Sequence, residues 1–146
     1  MLFDQIQADL KVAMKSGDAL KLSVLRMLSS ELAYKKIDVQ KDLNDEEVLG
    51  VVQKEAKKRR EAIEAFGKAG RAESVTKEQD ELKILSIYLP VQLTDEEVAE
   101  EVKKLLSQGS IADFGQAMRV VSPALKGKAD GAQVARIVKE FLAPEA

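Results

Sequence analysis

The chain runs to 146 residues, 45% apolar and 33% charged, with a net charge of −2 and neither cysteine nor histidine. Those two absences exclude disulfides, thiolate chemistry, histidine-based triads and zinc centres, leaving a catalyst only Lys, Asp, Glu, Ser or Tyr. The slightly acidic balance argues against a protein that coats nucleic acid over its whole surface, but leaves a local basic patch open.

Aromatic residues make up only 4% of the chain, and the abundance of Ala, Leu, Glu and Lys favours helices over strands. "LFDQIQADLKVAM" sets Leu2, Ile6, Leu10 and Ala13 at steps of three or four, which predicts an amphipathic helix. Gly17 interrupts it, and Asp18 is placed to cap a second helix over about 19–37, with Leu22, Leu25, Leu28 and Leu32 on one face. "LNDEEV" carries a capping box of Asn44 with Glu47, and a staple of Leu43 onto Val48. The third helix it starts is expected to weaken at Gly67 and Gly70. A fourth, over roughly 73–88, heads toward a stop at Pro90.

"LTDEEV" then repeats the same start signal with Thr94 and Glu97, and with Leu93 and Val98 as the staple. Two helices starting by the same physics explain the likeness, since it fades just after the cap. Further helices are expected near 95–107, 113–125 and 130–142, the last two capped by Asp113 with Gln116 and Asp130 with Gln133. No segment alternates like a strand. The fold expected is all-α: an N-terminal four-helix unit over residues 1–90 and a smaller three-helix domain over 94–146. "YLPVQL" is the expected joint. No run approaches the roughly 20 apolar residues of a membrane span, and the start of the chain lacks a signal-peptide pattern. A cytoplasmic protein, without membrane, metal or cofactor, is the expectation.

Three groups of residues are candidates for function. In "QKEAKKRR", Val48, Val52, Ala56, Ile63 and Phe66 share an apolar arc, while Lys54, Lys57, Lys58 and Arg60 lie off it as a basic flank. That flank is either a solvated face, with Glu61 and Glu64 pairing with nearby lysines, or a phosphate-facing ridge. Arg59 falls inside the apolar arc and is expected to snorkel, or to pair with a carboxylate at the edge of the core. Arg26, inside "LRML", is expected to tether a neighbouring helix through Glu31 or Glu55.

The third group is "KGKADG". Gly127 suits the left-handed position after a helix, Asp130 an N-cap, and Lys126 the negative end of the helix dipole. A turn alone accounts for those three. It leaves Lys128 without a structural task, Gly131 at a position that weakens a helix, and the free amides of residues 131–133. A helix N-terminus beside two lysines is a plausible phosphate site. It is not a P-loop, because the Gly-x4-Gly-Lys-Ser/Thr pattern and the preceding strand are missing.

Taken together, "VLRMLSSELAYKKID", "QKEAKKRREAIEAFGKAGR", "ILSIYLPVQL" and "FGQAMRVVSPALKGKADGAQVARIVKEFL" resemble the YqeY-like family over nearly the whole chain. That family is similar to the helical tail domain of the GatB subunit of tRNA-dependent amidotransferases. The C-terminal string is the most specific, with Gly115, Met118, Lys126 through Asp130, Val134 and Leu142. Gly67 departs from the pattern, standing where the family more often has a charged or polar residue.

The resemblance implies an all-helical protein with a larger N-terminal and a smaller C-terminal domain. It also implies tRNA as a partner, since the amidotransferase tail contacts tRNA while the ATP-dependent chemistry belongs elsewhere. The leading expectation is therefore a non-catalytic RNA-binding module acting on tRNA or a tRNA-handling complex. Lys126, Gly127, Lys128, Asp130 and Gly131 would form the phosphate site, and Lys54, Lys57, Lys58 and Arg60 a second patch. The alternatives are an adaptor docking on a tRNA-handling enzyme, and a carbon–nitrogen ligase using glutamine as amido donor. The missing His, Cys and nucleotide motif weigh against the ligase.

Overall fold

The computed structural model describes residues 1–109 and 113–143. Among the described residues there are seven helices and no strand: α1 Leu2–Ser16, α2 Ala19–Val39, α3 Asp45–Lys68, α4 Ala72–Ser86, α5 Asp95–Leu106, α6 Phe114–Leu125 and α7 Gly131–Leu142. The protein is all-α. It divides into two units, Met1–Leu89 and Pro90–Ala146. The second unit's last three residues, which the sequence assigns to the same domain, lie outside the described residues.

Four of the helices, α2, α3, α5 and α6, start where a short polar side chain satisfies a first-turn amide. The Asn44 side chain accepts from the Glu47 amide at 2.8 Å while Glu47 accepts from the Asn44 amide at 3.2 Å. Thr94 and Glu97 repeat the box at the head of α5. Asp18 caps α2 and Asp113 caps α6. Each such cap is worth about 1 kcal/mol.

The ends depart from expectation by a few residues. α2 runs on to Val39, because Gln40 itself takes the left-handed conformation (φ 56°) that closes it. α3 passes straight through Gly67 and stops before Gly70 (φ 71°), since one glycine weakens a helix by only about 1 kcal/mol. α4 ends at Ser86 rather than Tyr88, and Ile87, Tyr88 and Leu89 follow as a tighter turn with amides bonded three residues back.

The first unit closes around Ile6, Leu25, Leu28, Leu32, Val48, Val52 and Leu85, all fully buried. At roughly 1.5–3 kcal/mol for each side chain taken from water, this face is what holds α1 to α4 together. Tyr88 completes that core and donates its hydroxyl to the Asp9 carboxylate at 2.6 Å. The second unit has its own core of Val98, Val102, Ala117, Val121, Ile137 and Val138. Pro123 sits inside α6 without ending it, so the strongly apolar face of "AMRVVSPAL" outweighs the lost amide there. None of the helices is long and apolar enough to cross a membrane, among the described residues.

Candidate nucleic-acid interface

Loop 126–130 is built by one glycine and a set of backbone bonds. α6 ends at Leu125, Lys126 turns to an extended conformation, and Gly127 takes φ 83°. Only a residue without a Cβ adopts that angle readily. The amides of Lys128 and Ala129 then both return to the Leu125 carbonyl, at 2.9 and 3.2 Å. Lys126 and Lys128 project their side chains into solvent, and Gly131 opens α7. The left-handed glycine is therefore as expected.

The cap is not. Asp130 stands at the N-cap position but makes no side-chain bond to the first amides of α7. Gln133, its expected box partner, is committed elsewhere. Its amide nitrogen donates to the Leu93 carbonyl at 3.3 Å and to Asp95 at 2.8 Å. Arg136, one turn on, reaches Asp95 at 2.9 Å. The bond from Gln133, followed by that from Arg136, holds the Asp95 carboxyl below the usual carboxylate range. Tertiary partners thus take the side chain that a purely local rule assigns to the cap.

Nor is Lys128 without a structural task. Its carbonyl accepts from the Leu93 amide at 2.8 Å, and the Gly127 carbonyl accepts from the Gln92 side chain, also at 2.8 Å. Gln92 and Leu93, together with Gln133, escape sequence reasoning because they lie some thirty-five to forty positions from their partners. The staple pattern marks the Leu93 side chain, but nothing in the sequence marks its backbone or the Gln92 amide as partners of the loop.

The second candidate, on α3, lies in the other unit. Lys54, Lys57 and Lys58 are exposed and Arg60 is half-buried. Lys58 lies 3.2 Å from Glu55, a carboxylate only 2% exposed, so its charge is partly answered. Glu64 pairs with Lys68, as a solvated face would have it.

Arg59 behaves as its place in the apolar arc predicts. Its Nε lies 2.9 Å from Glu81 and 3.6 Å from Glu78, both on α4. Burial, reinforced by the neighbouring Glu81, pushes the Glu78 carboxyl up from its ordinary value. Arg26 departs from expectation. It is exposed, and Glu55, one of its two expected partners, faces Lys58 instead. Among the described residues, no group of three or more carboxylates is arranged to hold a metal ion.

Two open cavities among the described residues draw no lining residue from either basic group. One open groove of about 560 Å³ is lined by Ala33, Lys36, Ile37, Gln40, Lys41 and Asp42 at the end of α2. Close by in sequence, Tyr34 and Ile37 are 68% and 72% exposed, on the face of α2 opposite its buried leucines. A cleft on α5 is lined by Leu93 and four glutamates.

Comparison with known proteins places the chain among relatives. The protein named "Altered inheritance of mitochondria protein 41, mitochondrial" from Pyrenophora tritici-repentis is 29% identical over 97% of this chain and 81% of its own length. Proteins of the same name from Lachancea thermotolerans and Kluyveromyces lactis are 34% and 36% identical over 70% of this chain. The chain spans only 57% of the length of those two. These names overturn the cytoplasmic expectation, which rested on composition and the absence of a signal-peptide pattern; neither property reads a mitochondrial address. The model of the family described as "Yqey-like protein" matches residues 3–142, and the chain belongs to that family.

Proposed function

We propose that the protein is a non-catalytic RNA-binding module that holds phosphates at the 126–131 loop, with tRNA or a tRNA-handling complex as its partner. The observation that carries this reading is the pair of exposed lysines, Lys126 and Lys128, on a backbone held by hydrogen bonds beside the N-terminus of α7. Two cations on a fixed turn lose little freedom when they meet a polyanion, and they gain by releasing its condensed counterions. The α3 lysines supply a second, weaker patch, because Lys58 already faces Glu55. The similarity of the family to the amidotransferase tail makes tRNA the first RNA to try.

A double variant, Lys126→Ala with Lys128→Ala, tests the reading. It should bind tRNA more weakly than the parent and flatten the salt dependence by up to about two units. Its melting should stay within roughly 0.5 kcal/mol of the parent, because both side chains are exposed. A double variant that binds like the parent would remove the loop from the interface.

The exposed Tyr34 and Ile37 beside an open groove favour a second reading, an adaptor that docks on another protein through α2. A partner captured equally well after nuclease treatment, and lost on Tyr34→Glu, would replace the RNA reading with this one.

A further inference from the structure

The peptide unit between Gly127 and Lys128 is clamped from both sides. Its carbonyl accepts from Gln92 Nε2 at 2.8 Å, and its N–H donates to the Leu125 carbonyl at 2.9 Å. The next carbonyl, that of Lys128 itself, accepts from the Leu93 amide at 2.8 Å. Three hydrogen bonds therefore fix the backbone on either side of the Lys128 Cα, and with it the direction in which the side chain leaves. Two of the three come from the segment that follows Leu89, the last residue of the first unit.

That segment is itself committed to the loop. The Gln92 amide nitrogen also donates to the Pro90 carbonyl at 2.7 Å, which locks its own side chain. Leu93 is bonded through both backbone groups, its carbonyl accepting from Gln133 at 3.3 Å. Of this stretch Pro90 and Val91 are exposed, Val91 at 84%, while Gln92 and Leu93 are half-buried. What reads in sequence as a loose joint is a strap laid across the loop.

We propose that Gln92 is a positioning residue for Lys128, and that the strap 90–93 and the loop 126–130 respond together when an anion is bound. The proposal rests on the loop being the phosphate site. The physical basis is preorganisation: a lysine whose backbone is already fixed gives up less entropy on binding than one on a mobile turn. By the same linkage, whatever tightens the loop must also tighten the strap bonded to it.

The test uses the full chain and Gln92→Met, which keeps the length of the side chain and removes its donor. Hydrogen exchange at the Leu93 amide is followed with and without unfractionated tRNA, and tRNA affinity is measured across a salt series. In the free variant, Leu93 exchange should rise about fivefold, as loss of one hydrogen bond implies. Affinity should fall by a similar factor of about five while the salt slope stays unchanged, because no charge has been removed. In the parent, tRNA should slow Leu93 exchange. A purely structural role would lower the melting midpoint and leave affinity untouched in the folded protein.

Unchanged Leu93 exchange in the variant overturns the positioning role. Faster exchange with parental affinity overturns that role as well, and tRNA binding that leaves the parent's Leu93 exchange unaltered overturns the coupling. A parent that binds no tRNA sinks the RNA reading instead. The exchange of the free variant then decides alone whether Gln92 holds the Lys128 backbone.

Discussion

Tyr88 makes a long-range side-chain bond in the first unit, to Asp9, 79 positions away. Its hydroxyl is tied to a carboxylate, and burial, followed by that bond, pushes its ionisation well above the ordinary tyrosine value of 10.0. A raised tyrosine contributes stability that is complete below the ordinary value and lost as pH rises through the raised one, so at neutral pH the contribution is whole. Tyr88→Phe should therefore destabilise by about 1.5–3 kcal/mol at pH 7, as loss of a bond to a charged acceptor implies. Urea denaturation followed by circular dichroism measures this, and an unchanged midpoint would mean that water replaces the hydroxyl without loss. No local pattern announces the pair. Neither Tyr88 nor Asp9 looks unusual where it stands, and only the closed fold brings them together. Asn44 and Thr94 are the opposite case, since their partners lie three positions away and the cap is written into a single turn.

Among elements, α3 and α4 meet around the charges of Arg59, Glu78 and Glu81. The sequence shows that Arg59 lies in an apolar arc and must either snorkel or pair with a carboxylate; it does not show which carboxylate, because the answer sits on the next helix. Burial first, then the Glu81 charge, outweigh Arg59 at Glu78, so folding favours the protonated form of this carboxyl more than water does. The sign follows. A carboxyl raised above its ordinary 4.5 adds stability below that value, and the addition is lost as pH rises through the raised one. Glu78→Gln should then raise the thermal midpoint at pH 7, and the gain should shrink as pH falls toward about 4, since the parent's own carboxyl takes up its proton on the way down. Thermal melting of both proteins at the two values checks this, and a variant less stable at pH 7 would show that the Arg59 pairing dominates after all. The α7 start teaches the converse lesson. Asp130 with Gln133 fits the local rule, yet Gln133 is drawn to Leu93 and Asp95, and the box is not formed.

For the whole molecule, helix content and the first core were legible because apolar residues repeat with helical spacing, as Leu25, Leu28 and Leu32 do; the second unit is legible through its caps, and its core of Val98, Val102 and Val121 emerges only in the structure. The loop lysines were legible as charges, but the strap that holds them was not, since hydrogen bonds from Gln92 and Leu93 leave no periodic trace. The strap also sets where the chain is best divided. Gln92 bonds to the Pro90 carbonyl, and Leu93 to Lys128, so both belong with the second unit. We propose that the second unit folds alone: a fragment starting at Pro90 should melt cooperatively by circular dichroism. One starting at Thr94, having lost the strap, should melt at a lower temperature. A fragment from Pro90 that is unfolded at every temperature would mean that the second core needs the first.

The Tyr88–Asp9 bond also decides what light can report. Both tyrosines, Tyr34 and Tyr88, fall in the first unit, and the chain has no tryptophan. A phenol held 2.6 Å from a carboxylate is a dim emitter, because the excited hydroxyl passes its proton to the acceptor. Opening the first unit should therefore free Tyr88 and brighten it, whereas unfolding of the second unit, which holds neither tyrosine, should leave the emission unchanged. Emission follows one core and helical dichroism follows both, so the gap between the two traces is the optical signature of the second unit.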